Sequence, residues 1–361
     1  MPTDQADVAI IGAGLSGLAC ALRLHQAGLK ITVLEAASRP GGRIGVFADA
    51  EGTTIGDLGP TWVWPRAQAT VSRWVDEFRV QPLPQYETGD AVVETRRDEP
   101  PRKTPLPGQW GMTRLVGGPW SLISEIVNLL PPETVRTNEP VTEFCDIGGH
   151  LEVSGKTGSV AQARQIVVAT PLRIAAANMK FHGMLDSSTL QLMAAAPTWM
   201  ATQAKVVIGY KQAFWREAGL SGRIASHVGP MVEVHDHCGP EASPAALFGF
   251  LGVPPEARQN NRDELRTAII DQLINCFGPA ASEPKHLHIE DWAQNPFICA
   301  DQDGNGPGNH PSVLTPALRG GFAGNRIRFA VAETATQSPG LIDGALEAGQ
   351  RAAAQVLEQL A

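Results

Sequence analysis

Three glycines near the N-terminus have the spacing of a loop that holds a phosphate-containing ligand. Gly12, Gly14 and Gly17 follow the apolar run DVAII and precede LACALRLHQA, whose apolar residues recur at helical spacing. In such a turn the first glycine permits a tight bend, the second lets the backbone approach a pyrophosphate, and the third allows close helix packing. The helix N-terminus adds unpaired N–H groups and a positive dipole end. The pattern predicts a dinucleotide-binding loop; the alternative is a β-α-β turn without a ligand.

An acidic residue ends the next predicted strand. The run LKITVLE at residues 29–35 reads as a buried strand, completes the β-α-β unit and ends on Glu35. A carboxylate here accepts hydrogen bonds from both ribose hydroxyls and repels a 2′-phosphate, so NADP is disfavoured. Arg39 and Arg43 flank paired glycines just beyond it. They can offer charge-assisted bonds to the pyrophosphate and ribose region, or can be solvated arginines of a surface loop.

Two further segments contain residues that could do chemistry. Lys205 begins the apolar run KVVIGY, where a lysine must pair, shift its pKa or reach water; an ordinary lysine of an edge strand is the alternative. The run HDHC at residues 235–238 contains metal-ligand residue types. Adjacent strand residues alternate between faces, however, and no distant ligand pair accompanies this run. We therefore assign no metal ligand and expect a solvated strand end there.

The composition indicates a globular protein with a sizeable core. A chain of 361 residues suggests two domains, and 43% hydrophobic with 18% charged residues excludes disorder. A net charge of −8 argues against a nucleic-acid partner. The sequence contains no apolar run of the roughly 18 residues that a membrane span needs, and no basic region of a secretory signal. Five scattered cysteines without a CxxC pair indicate reduced thiols, so we expect a cytoplasmic protein. The oligomeric state stays unknown.

Hydrophobic periodicity and turn residues predict the remaining elements. Helices are expected at residues 66–80, 121–130, 263–277 and from the last loop through residue 360. Strands are expected at residues 165–169, 205–210, 245–251 and 326–331, with a hairpin at residues 91–96 that turns at residues 98–101. Residues 300–311 read as a loop rich in glycine, proline and asparagine.

Short segments from end to end of the chain resemble the flavin-containing amine oxidase superfamily. The first of these segments in the chain is R-x-G-G-R, which follows Glu35 and ends at Arg43. The others, in chain order, are DLGPTW at 57–62, GGPWSL at 117–122, EPV at 139–141, VVATP at 167–171, AKVV at 204–207 with Phe214 and Trp215, FAVAET at 329–334 and PGLIDGAL at 339–346. Their order and spacing match those of the family.

The resemblance implies a fold and a domain division. It implies an α/β protein, α+β overall, with a Rossmann-like FAD-binding domain and a discontinuous substrate domain of mixed sheet plus helices. The FAD-binding domain is expected to comprise residues 1–65, 117–175 and 318–361. The substrate domain is expected to comprise residues 66–116 and 176–317.

The resemblance also implies FAD rather than NAD, and roles for particular residues. Lys205 is the candidate catalytic residue, hydrogen-bonded through water to flavin N5. Glu333 is expected to bond the ribityl chain, the Val141 backbone to meet adenine, and Trp62 to face the substrate. The full set of expected cofactor-binding residues is Gly12, Gly14, Leu15, Ser16, Gly17, Glu35, Ala36, Arg39, Gly42, Arg43, Gly59, Pro60, Thr61, Trp62, Val141, Glu333, Leu341 and Ile342.

The chain departs from the family pattern at several positions. Val331 stands where glycine is usual, and Leu341 where the monoamine oxidases have a cage tyrosine. The tethering cysteine of those enzymes follows a tryptophan by nine residues, which here is Asp301; Cys299 lies two residues short. We therefore expect non-covalent FAD. The segment between Trp64 and Gly117 is also shorter than in those relatives, which implies a trimmed helical cap.

The expected reaction oxidises a carbon–nitrogen bond of an amine. The resemblance implies hydride transfer from the carbon that bears a neutral amine to flavin N5, imine hydrolysis, and reoxidation by oxygen to give hydrogen peroxide. The expected partners are a small-molecule amine and molecular oxygen. Two alternatives stay open: oxidation of a carbon–carbon bond, as in desaturases and porphyrinogen oxidases, and a flavin-binding scaffold with decayed catalysis.

Overall fold

The predicted β-α-β unit forms the centre of the first sheet of the protein. The computed structural model describes residues 4–108, 111–304, 312–314 and 316–361. Its strands are β1 (Asp4–Ile11), β2 (Ile31–Leu34), β3 (Val46–Ala48), β4 (Thr54–Asp57), β5 (Pro82–Pro84), β6 (Asp90–Glu94), β7 (Arg102–Thr104), β8 (Thr113–Leu115), β9 (Val135–Arg136), β10 (Val141–Asp146), β11 (Leu151–Gly155), β12 (Gly158–Val168), β13 (Ala204–Tyr210), β14 (Leu220–Ser226), β15 (Met231–Asp236), β16 (Ala245–Leu251), β17 (His286–Asp291) and β18 (Ile327–Phe329).

The α-helices connect and cover these strands. They are α1 (Leu15–Gln26), α2 (Ala69–Glu77), α3 (Trp120–Leu129), α4 (Leu172–Asn178), α5 (Ser187–Ala195), α6 (Phe214–Glu217), α7 (Pro255–Asn260), α8 (Arg262–Phe277), α9 (Asp301–Gly304) and α10 (Ile342–Leu360). The helices predicted from periodicity correspond to α2, α3, α8 and α10.

The first sheet has the order β10-β11-β12-β1-β2-β9, with β18 beside the C-terminal half of β12. The pairs of β1 with β2 and β12, and of β12 with β18, are parallel, whereas β10, β11 and β12 form antiparallel pairs. The parallel strands are buried on both faces, which is why their sequences are almost continuously apolar. Their C-terminal ends lie along one edge, where open parallel sheets bind ligands.

Alternate residues of β1 pack into two different cores. Val8 and Ile10 lie in one core with α1 and α10, whereas Ala9 and Ile11 lie in another with residues of α4 and α5. The sheet therefore has helices on both of its faces. This is the α/β architecture that the sequence predicts.

The second sheet has the order β17-β13-β16-β15-β14-β6-β7. Strand β13 pairs antiparallel with β16 on one side and β17 on the other. Val206 and Ile208 pack toward α8, whereas Val207 packs against Ile55 and Trp292 on the opposite face. Because strand residues alternate between faces, Lys205 shares the face of Val207. The alternative of an edge-strand lysine is therefore wrong.

The cores suggest an adjustment of the expected domain boundaries. Residues of α2, such as Trp74, lie in the same core as α1, and Phe181 and Met193 lie in a core of the first sheet. Strands of the second sheet all fall within residues 90–104 and 204–291. We therefore propose that residues 66–80 and 176–196 belong with the FAD-binding domain.

Two local expectations are wrong. His235, Asp236, His237 and Cys238 are buried rather than solvated, because Asp236 accepts hydrogen bonds from Trp215 and Arg216 inside the protein. The predicted loop at residues 300–311 contains helix α9, and residues 305–311 lie outside the described part of the chain.

No helix in the described ranges combines the length and the apolar character that crossing a bilayer requires.

Helices α1 and α10 approach closely at Gly349. A Cβ atom at this position would lie 2.3 Å from the Ser16 carbonyl oxygen and 2.9 Å from the Ala19 Cβ. Both neighbours belong to a rigid, buried helix, so neither can move away at low cost. The missing side chain is thus what permits the helix contact.

We expect Gly349→Ala to lower the free energy of unfolding by about 1–3 kcal/mol, the usual cost of overpacking a core. On an open helix surface the same change stabilises by about 1 kcal/mol, so the expected sign is reversed. The midpoint of urea unfolding, followed by tryptophan fluorescence, measures it. Ala354→Gly at an exposed position of α10 is the control, with an expected loss of about 0.5–1 kcal/mol. A Gly349→Ala protein as stable as the parent contradicts the packing account.

Candidate active site

A cavity of about 1080 Å³ extends from the C-terminal edge of the first sheet to the face of the second sheet that carries Lys205. Its volume lies just above the usual range for ligand sites, roughly 300–1,000 Å³. Most of the predicted site residues line it: Gly12, Gly14, Leu15, Ser16, Glu35, Ala36, Gly42, Arg43, Gly59, Pro60, Thr61, Trp62, Val141, Lys205, Leu341 and Ile342. Residues far apart in the sequence thus line one cavity.

The glycine loop has the geometry that its spacing predicts. Gly12 has φ +108°, a conformation that other residues rarely adopt. A Cβ atom at Gly14 would meet no atom within 4 Å, so the missing side chain leaves open space beside the loop. A Cβ atom at Gly17 would lie 2.1 Å from the Gly12 carbonyl oxygen, so Gly17 serves loop packing and does not line the cavity. The loop therefore leaves its backbone accessible at the start of α1.

Glu35 is fixed at the end of β2 by backbone donors. Its Oε2 accepts a hydrogen bond from the Ala13 N–H at 2.7 Å, and its Oε1 accepts one from the Ala37 N–H at 2.8 Å. Burial raises the pKa of Glu35, while these bonds and the charge of Arg39 favour the ionised form. Each carboxylate oxygen can accept a further hydrogen bond. The carboxylate is thus held in a fixed position at the cavity wall.

Arg43 and Glu333 form a bidentate ion pair. The Arg43 Nη1 lies 2.5 Å from Glu333 Oε1, and Nη2 lies 3.1 Å from Oε2. The Trp199 N–H also donates to Glu333 Oε1, at 3.1 Å. Arg43 lines the cavity, whereas Glu333 is buried behind it. The pair joins the loop after β2 to the segment after β18.

Arg39 supports the loop from outside the cavity. Its Nη1 donates to the carbonyl oxygens of Pro40 at 3.0 Å and Ile44 at 2.8 Å, and its guanidinium lies 6.0 Å from the centre of the Trp120 ring. Arg39 is not among the described residues that line the cavity. In this structure its direct partners are therefore protein groups.

Two hydrogen bonds and one aromatic contact hold the Lys205 amine at the cavity wall. Its Nζ donates to the Gly59 carbonyl oxygen at 2.8 Å and to Thr61 Oγ1 at 2.5 Å, and it lies 4.1 Å from the centre of the Phe248 ring. The residue is 2% exposed. Burial lowers the pKa of Lys205, and the charge of Asp57 partly offsets that shift. The amine can therefore be neutral or protonated much nearer to neutral pH than an exposed lysine.

Asp57 completes a buried polar network behind Lys205. The Asp57 backbone N–H donates to His237 Nε2 at 3.1 Å, and the carboxylate accepts a hydrogen bond from Thr61. Burial raises the pKa of Asp57, against the charges of Lys205 and Arg114. Burial also holds the pKa of His237 well below its usual value, so this imidazole is neutral. Thr61 thus links the amine to the carboxylate.

The substrate-side wall is more aromatic than the sequence indicates. Trp62 lines the cavity as expected, and its Nε1 donates to Gln85 Oε1 at 2.8 Å. Trp199, Phe250 and Trp292, which the sequence does not single out, also line the cavity. Phe250 is the cross-strand partner of Lys205. That pairing is the signal that identifies it, and it depends on strand register rather than on sequence spacing.

The tethering position of the covalent relatives is unsuited to a thioether here. Asp301 begins α9, and Cys299 is half-buried with a thiol whose pKa burial and neighbouring carboxylates raise to about 11. Cys299 is not among the described residues that line the cavity, although its neighbour Ile298 is.

The cavity fits an elongated dinucleotide. One end offers a fixed carboxylate, the open space beside Gly14 and the N-terminus of α1, which suit ribose and pyrophosphate. The other end offers aromatic walls and the Lys205 amine, which suit an apolar ring system with polar edges.

Comparisons with known proteins agree with this fit. The family model described as flavin containing amine oxidoreductase matches residues 15–123 and 108–357. Amine oxidase [flavin-containing] B of Sus scrofa is 24% identical over an alignment of 465 positions, gaps included, which covers 99% of this chain and 87% of that protein. The human enzyme of the same name is 23% identical with the same coverage. Since the alignment is longer than this chain, segments of those relatives are missing here.

Solved structures with this fold include two amine oxidases. Cyclohexylamine oxidase from Brevibacterium oxydans IH-35A superposes with a TM-score of 0.82 at 21% identity, covering 98% of this chain and 99% of that one. Putrescine oxidase bound to putrescine has a TM-score of 0.78 at 20% identity, covering 99% and 100%. The family match spans nearly the whole chain, so this protein belongs to the flavin-containing amine oxidoreductase family and is an FAD-dependent, amine oxidase-like oxidoreductase.

Proposed function

We propose that this enzyme oxidises the carbon–nitrogen bond of an amine that carries one charge and an apolar body. The amine carbon gives up a hydrogen with its bonding electrons, the nitrogen gives up a proton, and a C=N bond forms. Oxygen takes up two electrons and two protons and becomes hydrogen peroxide. Water then hydrolyses the imine to a carbonyl compound. FAD supplies the two-electron acceptor for this chemistry when bound.

The observation that carries the proposal is the composition of the cavity wall around Lys205. The described lining residues include Trp62, Trp199, Phe250, Trp292 and Phe297, and Phe250 is the cross-strand partner of Lys205. The described acidic residues of the lining, Glu35 and Glu139, lie at the nucleotide end. Burial of a second ammonium group without a carboxylate is costly. The site therefore favours an apolar monoamine over a diamine.

Lys205 is proposed to hold or release a proton at its Nζ atom beside the reacting groups. Gly59 and Thr61 fix the amine, so it needs no reorientation during the reaction. A neutral amine can act as a base or accept a hydrogen bond, and a protonated one can stabilise negative charge. Burial brings the two forms close in free energy, which is why this lysine rather than an exposed one suits the role.

We propose that FAD is held without a covalent bond. The half-buried thiol of Cys299 and the Asp301 carboxylate at the tethering position support this. We further propose that Glu35 binds the adenosine ribose and that the start of α1 binds the pyrophosphate, since both groups face one end of the cavity.

Comparison of amines with and without a second charge tests the proposed substrate class. We expect turnover of cyclohexylamine, detected as hydrogen peroxide, with kcat/KM at least about tenfold above that for putrescine, because one unpaired buried charge costs at least about 1.4 kcal/mol. Higher kcat/KM for putrescine contradicts the assignment of the apolar wall. If the FAD-loaded enzyme oxidises neither amine, the proposal fails, and carbon–carbon oxidation or a flavin-binding scaffold with decayed catalysis takes its place.

Replacement of Glu35 tests the nucleotide end. We expect Glu35→Ala to weaken FAD binding by about 1.5–3 kcal/mol, the range for hydrogen bonds to a charged group. Calorimetric titration of apoprotein with FAD measures the change, and Glu51→Ala in an exposed turn serves as the control. An unchanged dissociation constant for Glu35→Ala means that this carboxylate only stabilises the loop.

Replacement of Lys205 tests the reacting end. Lys205→Met keeps the four-atom stem of the side chain and removes the amine. We expect the transition state for the reaction with oxygen to lose about 3 kcal/mol of stabilisation, which slows this reaction roughly a hundredfold. Stopped-flow absorbance after dithionite reduction measures this rate without any substrate. Lys211→Met at an exposed position is the matched control. Wild-type reoxidation in Lys205→Met contradicts the assigned role.

A further inference from the structure

A second group of potential ligands lies outside the cavity, where β10 meets the loop after α4. Glu143 and Cys145 are two residues apart on β10, and His182 lies in that loop. One ligand atom from each lies within 4.8 Å of the other two. We propose that Glu143, Cys145 and His182 form a binding site for a divalent metal ion with the ligand preferences of zinc.

Strand geometry fixes the first two ligands. Phe144 is fully buried in the core, so Glu143 and Cys145 project from the opposite face of β10. Cys145 is a half-buried free cysteine. Glu152 on β11 is its cross-strand partner, and paired residues lie on the same face of a sheet. A second carboxylate therefore adds negative charge beside the thiol.

The loop after α4 brings the third ligand to the strand. The Lys180 backbone forms two hydrogen bonds with β10, one from its N–H to the Thr142 carbonyl oxygen and one to its carbonyl oxygen from the Phe144 N–H, each at 2.9 Å. Phe181 packs on Phe144 in the core, with ring centres 5.0 Å apart. His182 follows in a left-handed conformation with φ +44°, and its Nε2 contacts Glu143 Oε1. The imidazole is thereby anchored over the strand.

The donor set selects the kind of metal. A thiolate, an imidazole and a carboxylate match the sulfur, nitrogen and oxygen ligands that zinc takes in tetrahedral sites. Zinc–ligand bonds of about 2.0–2.3 Å place tetrahedral ligand atoms roughly 3–4 Å apart. The three ligand atoms already lie within 4.8 Å of one another, so a bound ion requires only that His182 and Glu143 separate from their direct contact and that Cys145 stay close to both. His182 and Glu143 are partly exposed, which allows that movement. Water or Glu152 can take the fourth position.

The proposed metal site lies next to residues that line the cavity. Thr142 and Met179, which line the cavity, flank the two segments that supply the ligands. A bound ion would join β10 to the loop after α4 by a bridge stronger than the single exposed contact between His182 and Glu143. The sequence does not reveal this site, because His182 stands 37 residues beyond Cys145 and the contact depends on the fold.

Protection of the thiol tests the site directly. The FAD-loaded enzyme is treated with a chelator, dialysed, and alkylated with iodoacetamide with and without Zn²⁺, and the rate at each cysteine is read by peptide mass spectrometry. We expect Zn²⁺ to slow alkylation of Cys145 at least tenfold and to leave half-buried Cys299 unchanged. Zinc that protects neither cysteine, or both equally, overturns the proposal.

Variants of the other two ligands separate coordination from burial. His182→Ala and Glu143→Gln keep the thiol, so we expect both to abolish zinc protection of Cys145 while alkylation without zinc stays at least as fast. His227→Ala at an exposed position is the control and should retain protection. Calorimetry should give one Zn²⁺ per chain in the parent and in His227→Ala, and at least tenfold weaker binding in His182→Ala. Equal affinity in His182→Ala overturns the proposal.

Discussion

A lysine amine inside a protein must be surrounded by acceptors, and the site is organised around that requirement. Lys205 lies on a central strand, buried on all sides, and its acceptors are Gly59 and Thr61. These acceptors follow β4, which comes from the N-terminal part of the chain and packs against the second sheet. The hydrogen bonds of the Lys205 amine therefore connect the second sheet to the segment that follows β4. The cavity lies between the first sheet and the second sheet.

The end of the cavity that contains the glycine loop and Glu35 was predictable from sequence because its signals are local. The turn at Gly12, the helix that follows and the carboxylate of Glu35 all lie within a single β-α-β unit. Their chemistry depends on backbone conformation and short-range spacing, which a single sequence encodes directly. The apolar run that contains Lys205 likewise predicted a strand, although only the structure shows that the strand is central.

The other end depends on long-range pairing and was only partly predictable. Phe250 and Trp292 reach the cavity because β16 and the segment after β17 lie beside β13. Long-range contacts also bury His237, which accepts a hydrogen bond from the Asp57 backbone N–H, 180 residues away in the sequence. Arg43 and Glu333, expected to face the cofactor separately, form an ion pair across the two ends of the chain. Composition and periodicity carry no information on which distant residues meet.

We propose that a single ligand spans the cavity from Glu35 to Lys205. A crystal structure of the protein with FAD tests it most directly. We expect the adenosine ribose within hydrogen-bond distance of the Glu35 carboxylate, the isoalloxazine ring at the end that contains Lys205, and no bond to Cys299. FAD bound in the opposite direction, or an isoalloxazine ring far from Lys205, would contradict it.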